Sequence, residues 1–172
     1  MINYKTGDLL AVKSGIIVHG VNTLSVMGAG VALSIKKKYP GCFLEYKEYI
    51  TEEVEAAVLE FEEDPDNIDN TYDVPESDML LGDVHYYQVN DRLYIANAFT
   101  QDRLGFDEDG NPPADIGAIA TCLANVADMA RACSMEVHMP MIGCGLGGLS
   151  WDDVRVVAEY ELRDVKATCW TL

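Results

Sequence analysis

"GIIVHGVNTLSVMGAGVALSIKKKYPG", Gly15 to Gly41, is the stretch on which the fold turns. Gly15-Ile16-Ile17-Val18-His19-Gly20 is a short β-branched run bounded by glycines, the pattern of a fully buried strand. A polar loop follows, and three small residues, Gly28, Ala29 and Gly30, open a segment in which Val31, Ile35 and Tyr39 recur at a spacing of four. Lys36, Lys37 and Lys38 crowd its last turn, where cations suit the helix dipole, and Pro40-Gly41 stops the element. Strand, bare loop and helix in that order form the unit of an open α/β sheet, in which ligands bind outside the carboxyl ends of the strands.

The same unit returns near the other end. Glu136 to Ile142 is strand-like, Gly143-Cys144-Gly145-Leu146-Gly147-Gly148 breaks it, and Ser150 with Asp153 resembles a capping box opening a helix to about Leu162. Val84 to Val89 and Leu93 to Phe99 read as a hairpin turned by Asn90-Asp91. Ile116, Ile119, Leu123, Val126 and Ala130 outline a long helical stripe, and Val165 to Leu172 ends the chain as a strand. Alternating strands and helices predict an α/β domain with helices on both faces of the sheet. The acid-rich run from Glu52 to Asp78, punctuated by Pro65 and Pro75, reads as a surface insertion with one short helix at Glu52 to Glu62.

A chain of 172 residues fits a single domain, 1–172, and its 49% apolar content is that of a globular protein. No apolar run approaches the roughly 18 residues of a membrane helix, so no membrane partner is expected. The N-terminus lacks a charged flank and apolar core of secretory type, which predicts a cytoplasmic protein. Cys42, Cys122, Cys133, Cys144 and Cys169 are odd in number and form no C-x-x-C pair, against both a disulfide framework and a zinc site. Twelve basic against twenty-nine acidic residues give a charge of -17, a field that repels nucleic acid unless a local basic surface overrides it. A small anion is a different matter, because amides at a helix start bind phosphate without net positive charge.

Glycine lets the main chain approach a ligand closely and turn its amides toward phosphate oxygens. Two glycine loops in equivalent places therefore predict a diphosphate or a comparable run of acceptors. Gly143, Gly145 and Gly148 also satisfy G-x-G-x-x-G, but only Leu149 to Leu172 follow, enough for one helix and one strand rather than a dinucleotide-binding half. The Walker pattern fails, since neither loop ends in Gly-Lys-Ser/Thr.

Five blocks in order, "TGDLL" at Thr6, "IIVHGVNTLSVMGAGVALSIKKKYPG" at Ile16, "YIANAFTQ" at Tyr94, "MPMIGCGLGGLSWDDV" at Met139 and the terminal "CWTL", resemble the macrodomain family. They cover nearly the whole chain apart from the acidic insertion. The resemblance implies a three-layer α/β/α fold around a central mixed sheet, with an ADP-ribose cleft at the sheet's edge. It implies that Asp8, followed by Leu9, accepts from the adenine amino group. Gly28, Ala29, Gly30, Val31 and Ala32, with Ile142, Gly143, Cys144, Gly145, Leu146 and Gly147, would wrap the diphosphate and distal ribose. Asn22 would lie near that ribose, and Thr100 and Gln101 are expected among the ligand-binding residues. Trp170 either walls the adenine pocket or packs in the core.

The blocks are most similar to the branch that holds ADP-ribose 1″-phosphate phosphatases and terminal ADP-ribose protein glycohydrolases. The glycohydrolase of that branch uses a lysine after the "FT" threonine and an aspartate in the second loop. Here Gln101 and Gly147 stand there, which leaves a covalent lysine route without its parts. Phosphatase-type members carry a histidine before the first loop, and His19 matches it. Imidazole titrates near neutrality and could act as acid, base or nucleophile, though a histidine at the end of a buried strand fits a core hydrogen bond equally well. His85 and His138, inside strands, read as structural, and Cys144 reads as a small packing residue.

The expectation is an enzyme that hydrolyses ADP-ribose 1″-phosphate to ADP-ribose and phosphate, with His19 and Asn22 catalytic and with no cofactor or metal. The alternatives are a non-catalytic ADP-ribose reader and a hydrolase that removes ADP-ribose from ADP-ribosylated protein.

Overall fold

A computed structural model describes residues 1–63 and 76–171. Its elements run β1 (Asn3–Thr6), β2 (Gly15–Asn22), α1 (Gly30–Lys38), α2 (Pro40–Glu63), β3 (Val84–Asn90), β4 (Leu93–Gln101), α3 (Ile116–Cys133), β5 (Val137–Met139), α4 (Trp151–Glu161) and β6 (Ala167–Thr171). The strands form one sheet in the order β1-β6-β5-β2-β4-β3. Every neighbouring pair is parallel except β3 with β4, whose antiparallel hairpin closes one edge, so the sheet is mixed as expected.

The central strand β2 is buried on both faces, as its unbroken apolar run requires. Ile16 and Val18 enter the core shared with Ile119, Leu123 and Val126 of α3 and Val154 of α4. Ile17 points the other way, toward Ile35 of α1 and Cys42 of α2. Each such fully buried aliphatic side chain contributes about 1.5–3 kcal/mol. The α3 stripe enters the core as the spacing predicts: Ile119, Leu123, Val126 and Ala130 are buried, and only Ile116 lies outside. Asp115 caps this helix by accepting from the Ala118 amide at 2.7 Å, and Ser134 ends it in the left-handed conformation. By length and composition α3 could cross a membrane, but its apolar face is the one that packs on the sheet.

Three features depart from the sequence expectation. Pro40 does more than end α1: it opens α2, where a missing N–H is harmless and the fixed φ suits a first turn. The helix expected at Glu52 to Glu62 is the continuation of this 24-residue α2. Beyond it, Ser77–Leu80 forms a 3-10 turn with Leu80 fully buried, while the part of the acidic run at 64–75 lies outside the described residues. Finally, Asn3–Thr6 adds an edge strand beside β6, a pairing whose four partly polar residues carry no alternation.

Candidate functional site

Because β1, β6, β5, β2 and β4 run parallel, their carboxyl ends share one edge of the sheet. Asp8 follows β1, the second glycine loop follows β5, the first follows β2, and Thr100 and Gln101 end β4. Main-chain bonds join three of these ends. The Thr23 amide donates to Gln101 O at 3.0 Å, the Asp115 amide to Thr100 O at 2.8 Å, and the Ala114 amide to Gly147 O at 3.2 Å. The loops after β2, β4 and β5 are therefore one hydrogen-bonded rim. From β1 to β2 is three strand steps, about 15 Å at the usual spacing of strands.

The first loop is organised from its root. Asn22 Oδ1 accepts from the amides of Leu24 at 3.0 Å and Val26 at 3.2 Å, and its Nδ2 donates to Val26 O at 2.7 Å. Ser25 takes a positive φ of 61° inside the resulting turn, and Met27 plugs into the core at 1% exposure. Gly28, Ala29 and Gly30 are then left exposed. Ala29 is the N-cap of α1 and has no side chain to satisfy the amides of Gly30, Val31 and Ala32. Four orphan amides at a helix start need acceptors, and an anion is one that fits. Both polar atoms of the Asn22 side chain thus take part in the turn, with Oδ1 as acceptor and one Nδ2 N–H as donor.

The second loop is set by steric exclusion. A Cβ on Gly147 would lie 2.4 Å from Gly143 O, and one on Gly143 would lie 2.6 Å from Ile119 Cδ1. Gly143 and Gly148 also hold φ of +75° and +77°. The fold is pinned by Leu149 N to Gly143 O at 3.0 Å and Gly148 N to Gly145 O at 3.1 Å. Among the described residues, the amides of Gly145, Leu146 and Gly147 find no protein acceptor. Ile142 is buried beneath the loop, and Leu146 stands out at 75% exposure. Cys144 is half-buried with its thiol donating to Ile142 O, and burial raises its pKa, so it is not held as a thiolate.

Asp8 caps the short 3-10 turn Leu9–Ala11 by accepting from Leu10 N at 2.8 Å, and Leu9 is buried in that turn. Trp170 lies on the sheet beneath it, 3.6 Å from where a Cβ on Gly7 would be, and donates from Nε1 to His138 Nδ1 at 3.3 Å. The Trp170 ring packs against the apolar cluster of Leu9, Leu10 and Ile17 and lines the groove beside Asp8. Gln101 Nε2 donates to Arg103 O at 3.0 Å, and Thr100 is buried against Gly20.

His19 is sealed in the core at 1% exposure, on the face of β2 turned toward α2. Its Nε2 donates to Asn97 Oδ1 at 2.7 Å, and Asn97 Nδ2 donates in turn to His85 Nδ1 at 3.0 Å. Burial pulls the imidazole down to about 4, against the smaller raising effects of Asn97 and the Gly20 main chain. It is neutral at physiological pH and does not open onto the rim.

Tyr46 and Ala114 hold the rim and carry no sequence signal of doing so. The Tyr46 hydroxyl reaches Asn22 O at 2.5 Å across a sequence gap of 24 residues, and Ala114 sits where a Gly147 side chain would go.

No protein-family model matches the chain. A macrodomain protein from Streptomyces coelicolor superimposes with a TM-score of 0.72 at 26% identity, covering 100% of this chain and 99% of that one. The chain has the macrodomain fold. A Bacteroides thetaiotaomicron protein of unknown function matches the chain with a TM-score of 0.79 at 28% identity over 100% of the chain and 98% of its own. Among curated proteins, the human ADP-ribose glycohydrolase is 29% identical over 99% of the chain and 91% of its own length. The Candida albicans ADP-ribose 1″-phosphate phosphatase is 28% identical over 89% and 88%. A Mycobacterium tuberculosis DNA ADP-ribosyl glycohydrolase is 28% identical over 99% of the chain, which spans 42% of that relative's length.

Proposed function

We propose that the chain binds ADP-ribose along the carboxyl edge of its sheet and hydrolyses ADP-ribose 1″-phosphate to ADP-ribose and phosphate. The observation that carries this is the pair of glycine loops joined into one rim, with unclaimed amides at Gly30 to Ala32 and at Gly145 to Gly147. The span of about 15 Å from the Asp8 turn to the first loop suits a nucleoside diphosphate sugar laid along the edge. Asp8 has a carboxylate oxygen left over from its capping bond for the adenine amino group.

The choice of leaving group follows from what the two glycine loops lack. His19 is buried and neutral, and neither glycine loop contains a carboxylate. With no acid in either glycine loop, a group that departs as a stable anion is favoured, and phosphate does so at neutral pH. In this account the C1″–O bond breaks with its electron pair leaving on phosphate. Water adds to C1″ and loses a proton to solvent, giving ADP-ribose. The loop amides stabilise the charge as it gathers on the phosphate oxygens.

Phosphate release from ADP-ribose 1″-phosphate in ¹⁸O-labelled water tests this: the label enters ADP-ribose. Label in the phosphate contradicts C–O cleavage, and no release by a protein that binds ADP-ribose reduces it to a reader. Removal of ADP-ribose from a modified macromolecule is the second reading. It is favoured by the glycohydrolases at 28–29% identity, and release of ADP-ribose from such a conjugate would establish it.

A further inference from the structure

The sheet order fixes where the far end of a ligand emerges. From β1 to β4 is four strand steps, about 19 Å, so a nucleoside diphosphate sugar laid from Asp8 to the first glycine loop has its C1″ end beside β4. Residues 102–115 leave the end of β4 as a long loop before α3, and a connection of that length without a helix or strand of its own is usually functional. The loop is braced from within. Arg103 donates to Asp102 at 3.0 Å and to Pro112 O at 3.0 Å, and Asp107 Oδ1 accepts from the amides of Asp109 at 3.0 Å and Asn111 at 2.7 Å. It also rests on the second glycine loop: a Cβ on Gly148 would lie 2.7 Å from Phe106 Cζ and 3.1 Å from Pro112 Cβ.

The surface of this loop mixes two chemistries. Leu104 and Phe106 are 59% and 62% exposed, and Leu146 projects from the glycine loop on which Phe106 rests. Residues 102–115 carry five acids against one base, Arg103, whose guanidinium is taken up by Asp102 and Asp107. Among the described residues, Glu108, Asp109 and Asp115 form no ion pair. Solubility accounts for the carboxylates but not for an aromatic ring left in water among them. An arginine side chain answers both: its flat guanidinium stacks on an aromatic face and pairs with carboxylates, and its stem covers apolar surface. A polyanion meets like charge here.

We propose that the loop from Asp102 to Asp115, with Leu146, is a docking surface for a polypeptide that carries ADP-ribose, and that it selects segments with arginines flanking the modified residue. The inference rests on the second reading, in which the substrate is a modified macromolecule, and it names the class: a basic protein segment and not a nucleic acid. The rim holds the ADP-ribose, and the loop reads what is attached to it.

Calorimetric titration of the full chain with two conjugates tests this: ADP-ribose joined at C1″ through a non-hydrolysable linkage to a peptide with arginines on both sides, and the same peptide with glutamates in their place. The arginine conjugate should bind about tenfold or more tighter than free ADP-ribose, and the glutamate conjugate no tighter. Glu108→Lys with Asp109→Lys should remove that gain while leaving the affinity for free ADP-ribose unchanged, which also shows that the variant folds. Glu52→Lys with Glu55→Lys, the same change of charge at exposed positions of α2, should keep the gain. Equal binding of the two conjugates, a gain that survives in the loop variant, or its loss in both variants overturns the docking surface and leaves the modified-macromolecule reading standing. Conjugates of both kinds that bind about tenfold worse than free ADP-ribose overturn that reading and the proposal with it. An oligonucleotide conjugate that binds more tightly than the arginine peptide overturns the choice of partner.

Discussion

The Tyr46 hydroxyl donates to the main-chain oxygen of Asn22 at 2.5 Å, tying the second turn of α2 to the root of the first glycine loop. The ring is fully buried and stacks on Phe99 with centroids 5.8 Å apart. Tyr46→Phe keeps the ring and removes the donor, leaving a buried carbonyl unpaired. The expected cost is about 1–2 kcal/mol in urea unfolding, with weaker ADP-ribose binding because the loop loses its anchor. An unchanged unfolding midpoint and affinity would show that the bond organises nothing.

His19 predicts a pH dependence of stability. Its pKa falls from an unfolded value of 6.5 to about 4 in the folded protein, through burial. The unfolded chain thus binds the extra proton first, so the stability is fully present above pH 6.5 and is lost as pH falls toward 4. The loss is of the order of 3 kcal/mol. His85 and His138, also lowered by burial, act in the same sense. Urea midpoints at pH 7 and pH 5 should differ in the wild type and differ less in His19→Gln; equal slopes in both proteins would remove His19 from the effect.

Much of this was legible in the sequence, and the failures have physical causes. Glycine-bounded β-branched residues announced β2, and the stripe from Ile119 to Ala130 announced α3, because burial on one or both faces dictates the residue type directly. Pro40 was ambiguous: the same ring that cannot continue α1 is well suited to begin α2. The glycine loops could be located, but not the reason for each glycine. That Gly147 must be bare follows from Gly143 O and Ala114, brought there by the fold. His19 shows the same limit, since a histidine at a strand's end reads alike whether it faces a cleft or, as here, Asn97.

Cys144 sits between two loop glycines, yet its thiol pKa is raised by burial and it donates to Ile142 O. Cys144→Ala should retain ADP-ribose binding and any phosphate release within about twofold, a change of less than 0.5 kcal/mol. Loss of turnover with binding intact would instead make the thiol a participant.

Asp115 caps α3 and, through its own amide, bonds to Thr100 at the end of β4. Asp115→Ala removes only the side-chain bond, at a cost of about 1 kcal/mol seen as a lower melting temperature. Asp115→Asn, which preserves an accepting oxygen, should recover most of it. Equal losses in the two variants would assign the effect to charge rather than to capping.

The central claim is that the unclaimed amides of the two glycine loops bind the diphosphate of ADP-ribose. Calorimetric titration of the wild type and Gly147→Ala with ADP-ribose tests it most directly, because a Cβ at that position would lie 2.4 Å from Gly143 O and must displace the loop. The account predicts saturable one-site binding by the wild type and at least about a tenfold loss, about 1.4 kcal/mol, in the folded variant. A wild type that does not bind, or a variant that binds as well as the wild type, would contradict it.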